Sequence, residues 1–430
     1  MTKAPVQWRG AWVATASASL ALASGQAAAS GFQINEQSAS GLGVAFAGQA
    51  AAVHDASTVF WNPAGQALLP GRQAVGALSL ILPSTRFEDS GQSTFSAFGN
   101  GGQGGENAVV PALYGTWQID DRWSVGLAFN APFGLATEWD ATWAGQFHAV
   151  RSEIKTMNLN PTVAYKVSDA LAIGAGLSYQ RLEAELSNRA VLAPPFPTTA
   201  IGTGTVKGDD WGWGWNVGVL WSMAPSTQVG ATYRSKISYT IEGNLEFSGF
   251  PATVPGRAVR ADVELPQTFS LGVSHRLDAK TRLLADWTWV GWDSIEELRI
   301  VDKATGASVS NTTLKFESAW RIGLGAEYMV DSAWLLRAGV AYDTTPVQDA
   351  YRTPRLPDED RFWLALGARW TPGANAPWWV DVGFAYIWLR EASSQLPYPG
   401  APAEEVRRGA LVGTYQGHVT LLSAQVGFRF

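Results

Sequence analysis

The chain has 430 residues, a formal net charge of −6, no cysteine, 45 glycines and 21 tryptophans. Without cysteine there is no disulfide framework and no thiolate metal site, and mild acidity without a large basic patch argues against nucleic acid as a partner. A mean hydropathy near zero beside so much tryptophan suits a wall whose alternate residues meet lipid between two aromatic girdles better than a soluble domain.

Lys3 and Arg9 precede the short apolar run Ala11–Leu22, and Ala27, Ala28 and Ala29 supply small residues for cleavage, so residues 1–29 read as a secretory signal peptide. The run falls short of the roughly 20 residues a spanning helix needs, which disfavours a membrane anchor. Cleavage leaves 29 basic against 37 acidic residues, a net charge of −8. Ser30–Leu69 follows, rich in Gly, Ala and Ser and without helical or strand periodicity. Composition alone fits a flexible linker. Its place between a cleavage site and an unbroken series of strands points instead to a hatch, or plug, over residues 30–70, closing a barrel built from 71–430.

Thr227–Phe247 is the clearest strand. Val229, Ala231, Tyr233, Ile237, Tyr239, Ile241, Leu245 and Phe247 alternate with Gln228, Thr232, Arg234, Lys236, Thr240, Glu242 and Glu246. Such alternation outlasts a soluble strand of about five or six residues and fits a tilted barrel strand that continues above the bilayer. The same pattern predicts strands at 73–87, 107–119, 122–131, 152–168, 170–189, 207–224, 226–247, 258–276, 280–300, 313–331, 333–343, 360–371, 378–391 and 412–430. Tight turns such as Asp120–Asp121, Ser168–Asp169 and Asp331–Ser332 alternate with longer connections, as short periplasmic turns alternate with external loops. The predicted fold is therefore all-β, a transmembrane antiparallel β-barrel of about fourteen strands with the hatch inside its lumen. The last strand alternates Leu422, Ala424, Val426, Phe428 and Phe430 with polar residues and stops on Phe430. It resembles the terminal strand through which outer-membrane barrels are recognised by the assembly machinery.

Three stretches carry a family likeness. They are Ser30–Glu36 running on through Ser40–Gly43 and Ala45–Gly48; Asn62-Pro63-Ala64; and Phe133–Glu138 with Trp143–Gly145 and Thr156–Asn160. In combination they resemble the FadL family of outer-membrane transporters for long-chain fatty acids and other hydrophobic compounds. The resemblance implies a fourteen-stranded barrel closed by a hatch that carries the Asn62-Pro63-Ala64 motif. It further implies ligand capture at an external groove, transfer to a tighter site against the hatch, and sideways release where the third strand is kinked. Membrane lipid, lipopolysaccharide and the assembly machinery are the expected partners beside the hydrophobic ligand. No cofactor is expected.

The residues give this scheme candidates. Pro132, Phe133 and Gly134 fall where strand three should continue, and proline and glycine weaken a ladder; they mark either a lateral gate or the start of an external loop. Phe196 and Phe250 sit in apolar, proline-bearing loops that form either a groove or a lid. Phe32 and Ile34, the first apolar side chains of the hatch, either touch the ligand's tail or wedge the hatch. Arg181 and Arg189 share one strand parity, opposite to Leu182 and Leu186, and are expected to face the lumen; they meet a ligand carboxylate or are neutralised by Glu183 and Glu185. No catalytic residue is predicted: the four histidines are scattered, without metal-binding spacing, and no nucleophile elbow occurs. The expected function is passive uptake of long-chain fatty acids. Uptake of aromatic or aliphatic hydrocarbons is the alternative, and a lipid-acting enzyme or an adhesive barrel are the rivals of other classes.

Overall fold

Fourteen antiparallel wall strands close on themselves in the computed structural model, which describes residues 31–191, 200–250, 254–373 and 376–430. The strands are β1 Arg72–Asp89, β2 Ala108–Gln118, β3 Trp123–Asn130 with Gly134–Glu138, β4 Arg151–Lys166, β5 Leu171–Val191, β6 Ile201–Ala224 and β7 Thr227–Arg234 with Ile237–Ser248. There follow β8 Arg257–Leu265 with Thr268–Arg276, β9 Thr281–Val290 with Glu297–Asp302, β10 Ser308–Thr313 with Ala319–Met329, β11 Trp334–Asp343, β12 Arg361–Trp370, β13 Trp378–Leu389 with Ala392–Leu396, and β14 Leu411–Arg429. Each pairs with its sequence neighbours, and β1 closes the ring against β14 from Gln73↔Arg429 to Asp89↔Gly413. Closure removes the free edges that lipid cannot satisfy. The signal-peptide residues 1–29, Ser30 and Phe196 lie outside the described residues.

The wall changes character with height, and β5 shows how. In its first half Ile173 and Leu177 are exposed on the outside, while Ala172, Ser178 and Gln180 are buried against the lumen. Beyond Gln180 the chemistry inverts: Leu182, Ala184 and Leu186 line an apolar cavity inside, and Arg181 stands outside opposite the exposed Trp211. There Arg181 pairs with Glu183 and, at 3.2 Å, with Asp209. Arg189 keeps the same outward parity and donates to Thr203 Oγ1 at 2.9 Å. The expectation that Arg181 and Arg189 face the lumen is corrected on this point. Alternation separates two faces but does not say which is wet, and above the bilayer the outer face is the wet one. Tyr179 stacks on Trp211 and meets Trp213 at a tilt, each at 4.4 Å, at the level of the exchange, where an aromatic girdle belongs.

β7 makes the same exchange by breaking its ladder. Its apolar residues stay on odd positions throughout, yet Tyr233 meets the outward Trp215 at 5.3 Å whereas Ile237, Tyr239 and Ile241 are buried inside. The expected continuous strand 226–247 is thus two segments. Between them Ser235 exchanges hydrogen bonds with the backbone of Trp215, one from Ser235 N–H and one to Ser235 Oγ, both 2.9 Å. An irregularity of this kind re-aims every later side chain. Likewise β6 begins at Ile201, six residues before the expected start at 207.

Residues 31–69 run inside the barrel. Two one-turn helices, α1 Ala39–Leu42 and α2 Thr58–Trp61, and a 3₁₀ segment Pro63–Leu68 are the only regular elements there. Asn62 ties the Asn-Pro-Ala turn to the wall. Its side-chain amide donates to Ala50 O (2.6 Å) and Val219 O (3.1 Å), and its carbonyl oxygen accepts from Ala64 N (3.1 Å). The plug comes so close to the wall that side chains are excluded: a Cβ on Gly230 would overlap the Ala50 carbonyl, and one on Gly339 the Val44 carbonyl. Small residues on both sides are therefore what lets a loop of this composition pack inside a narrow lumen. Buried charge fixes the lower half. Asp55 meets Arg369 at 2.8 Å and accepts from Gln425 Nε2 at 2.8 Å. Burial alone would raise the Asp55 carboxyl, but Arg369 and the Ser57 amide take it down to about 2.

Candidate substrate path

The third strand is interrupted where the sequence placed its Pro-Phe-Gly run. β3 pairs with β2 only over Leu113–Gln118, so Ala108–Ala112 of β2 have a partner on β1 alone. Higher up the wall closes again, with Gly105 bridging Thr137 and Glu138 N–H donating to Gly104 O at 3.0 Å. Between these closures an opening is lined by Val110 and Pro111 of β2, Phe129, Phe133 and Gly134 of β3, and Ile34 of the plug. The interruption is a kink within a wall strand, not the start of an external loop, since Gly134–Glu138 resumes the ladder with β4.

A break in a membrane wall leaves backbone groups that cost several kcal/mol each if unpaired. Here the plug pairs them. Residues 32–34 lie antiparallel to 132–134: Ile34 N–H donates to Pro132 O (2.8 Å), Gly134 N–H donates to Phe32 O (2.9 Å), and Gln33 bridges Phe133. Gln37 Nε2 donates to Ala131 O at 2.7 Å. Thr156 Oγ1 accepts from Phe133 N (2.9 Å) and donates to Phe133 O (2.6 Å). The first described residue is held too, Gly31 N–H donating to Asp358 Oδ2 at 2.9 Å.

On the other side of that short plug strand lies an apolar cavity of about 140 Å³. Phe32 forms its base, in ring contact with Trp292 at 4.6 Å and Phe133 at 6.1 Å. Leu135, Leu182, Ile241, Leu265, Ile295 and Phe316 are among its walls. One segment of the plug therefore separates the cavity, which Phe32 lines, from the lateral opening, which Ile34 lines.

A cation that sequence reading missed reaches the same cavity. Arg355 lines it from the connection between β11 and β12, where no periodicity marks a residue's orientation. Its guanidinium donates to Ser152 Oγ (2.9 Å) and to the carbonyls of Arg151 (3.2 Å) and Ser187 (3.5 Å), all neutral acceptors. No carboxylate pairs with it among the described residues. Burial, with Arg408 nearby, pushes it down to about 9, still cationic at neutral pH. In the same outer region burial lowers His148 to about 4, so it stands neutral as it contacts Gly409 O at 2.9 Å. Phe250 packs on Phe247 at 6.1 Å, beside Gly202, and does not line the cavity.

The family model described as outer membrane protein transport protein (OMPP1/FadL/TodX) matches residues 20–430. The long-chain fatty acid transport protein of Escherichia coli K12 is 29% identical over 408 residues, covering 86% of this chain and 90% of that protein. Among solved structures, a Pseudomonas aeruginosa FadL homologue superposes with a TM-score of 0.84 at 24% identity, over 93% of this chain and all of that one. The Ralstonia pickettii toluene transporter TbuX does so with a TM-score of 0.67 at 18% identity, over 92% and 99%. These two superpositions are likenesses of fold.

Proposed function

The chain belongs to the OMPP1/FadL/TodX family of outer membrane transport proteins, a channel for hydrophobic small molecules in the bacterial outer membrane and not an enzyme, and we propose that its cargo is a long-chain fatty acid. Arg355 is the observation that carries this reading. A cavity meant only for hydrocarbon gains nothing from a partly buried guanidinium whose partners are all neutral, a charge whose desolvation an anion would offset. A fatty acid supplies both parts, a tail for the apolar walls and a carboxylate for the fork of N–H donors. Phe32 contacts the tail, and Ile34 with Pro132, Phe133 and Gly134 gates the sideways exit. Phe196 and Phe250 serve capture at the external groove. Arg189, outside the lumen and already bonded, fits contact with lipopolysaccharide better than contact with the cargo, while Arg181, also bonded, is among the residues lining the sideways exit.

The test is equilibrium binding of oleate and of toluene to the full-length protein and to Arg355→Gln. Loss of the charge-assisted bond should weaken oleate by about 1.5–3 kcal/mol, tenfold or more, and leave toluene unchanged. Equal oleate affinity in the two proteins would refute the reading and leave hydrocarbon as the cargo.

A further inference from the structure

The periplasmic mouth of the barrel, below the plug, concentrates positive charge that the substrate path does not use. A cavity of about 290 Å³ opens there between the plug residue His54 and the turns joining β8 to β9, β10 to β11 and β12 to β13. Arg276, Lys280, Arg282, Arg337, Arg369 and Arg429 line it, against the carboxylates of Asp278 and Glu327. Arg337 and Arg369 also hold Asp381 and Asp55 behind the lining. Counting those two acids, the cluster remains two charges positive. Asp278 is occupied by its own turn, accepting from the amides of Lys280 (2.7 Å) and Thr281 (2.8 Å). Arg276, Lys280 and Arg429 form no ion pair among the described residues.

Two buried polar atoms of the lining residues have no hydrogen-bond partner among the described residues. One is Nη2 of Arg337, whose side chain is wholly buried; its Nε and Nη1 are taken by Glu327 and Asp381. The other is Nε2 of His54, whose Nδ1 faces Glu327 at 3.2 Å. A buried guanidinium N–H left without an acceptor is destabilising, and neighbouring like charges add to that cost. An anion in the cavity relieves both. Donors approach from three strands and a turn, so an anion with several acceptor oxygens and more than one charge fits better than a single carboxylate.

We propose that this mouth is a phosphate-binding site, formed by Arg276, Lys280, Arg282 and the free Nη2 of Arg337, that takes the group as free phosphate or on a phospholipid head. Because His54 belongs to the plug and Glu327 to the wall, an occupied site braces the plug from below.

Full-length protein in nonionic detergent, dialysed free of phosphate, is titrated with inorganic phosphate and, separately, with dihexanoyl phosphatidylglycerol below its micellar concentration. The double variant Arg276→Gln/Lys280→Gln is the comparison. Both side chains are exposed and outside the ion pairs that seat the plug, and heat-modifiable gel mobility confirms the barrel. Submillimolar binding of at least one probe, weakened about tenfold or more in the variant, supports the site. Binding of phosphate alone identifies the free anion, binding of the lipid alone the headgroup, and binding of both the shared group. Failure of both probes, or equal binding by the variant, overturns the proposal. Neither titration uses fatty acid, so the result stands apart from the cargo proposed above.

Discussion

The amide of Ile34 donates to the carbonyl of Pro132 at 2.8 Å, so the plug itself supplies a ladder bond missing from the membrane wall. Movement of residues 32–34 therefore does two things at once: it joins the apolar cavity to the lateral opening and strips the kink of its partners. A cross-link tests this without background, because the chain has no cysteine. Gln33 and Phe133 are bridge partners, and residues so paired have Cα atoms about 4.5–5.5 Å apart, within disulfide reach. In Gln33→Cys/Phe133→Cys, uptake of labelled oleate by the reduced protein should be mostly lost when the same protein is oxidised. Uptake that ignores oxidation would show that the segment does not move.

The fourteen strands were legible because a lipid-facing wall forces strict alternation and because turns and loops differ in length. The plug was legible from its position and motifs. The parity of Arg181 and Arg189 was not, because the polar face of β5 changes sides where the strand leaves the bilayer, and sequence carries no mark of that height. The two-part form of β7 was hidden for the opposite reason: the break at Ser235–Lys236 turns the chain just where the environment turns, so the apolar residues stay in step. Arg355 lies in an aperiodic connection, and the neutrality of its partners among the described residues is a property of three-dimensional packing alone.

Asn62 holds the lower plug through three hydrogen bonds, one of them to the wall at Val219. Asn62→Ala leaves buried acceptors and an amide unpaired, at about 1–3 kcal/mol for each group that water cannot reach. The wall makes its own ladder, so the barrel should still assemble and keep its heat-modifiable mobility. The plug should loosen, seen as raised ion conductance in planar bilayers. Unchanged conductance would mean that the motif serves folding and not seating.

The cavity walls above Phe32 are apolar, so affinity should follow the length of the tail. Each buried methylene is worth about 0.8 kcal/mol, close to fourfold in affinity. Titration calorimetry from decanoate to palmitate should show a steady gain of that order. A flat series would place the tail outside the cavity.

Glu36 gives the plug a dependence on pH. It is fully buried, and neither carboxylate oxygen has a hydrogen-bond partner among the described residues. Burial pushes its carboxyl from 4.5 up to about 8, with the nearby backbone amides of Glu36 and Asn35 and the Arg361 guanidinium pulling the other way and Asp343 adding to the rise. The seated plug thus keeps a proton that a released, solvated Glu36 gives up. With the seated value above the released one, the contribution to seating is complete below about 4.5 and is lost as pH rises through about 8, a change on the order of a few kcal/mol. Single-channel conductance should therefore rise between about pH 5 and about pH 9. Glu36→Gln, which keeps the shape and never ionises, should abolish the rise and hold the plug closed at the alkaline end. A wild-type conductance that stays level, or a variant that opens with pH as the wild type does, would assign the effect to another group.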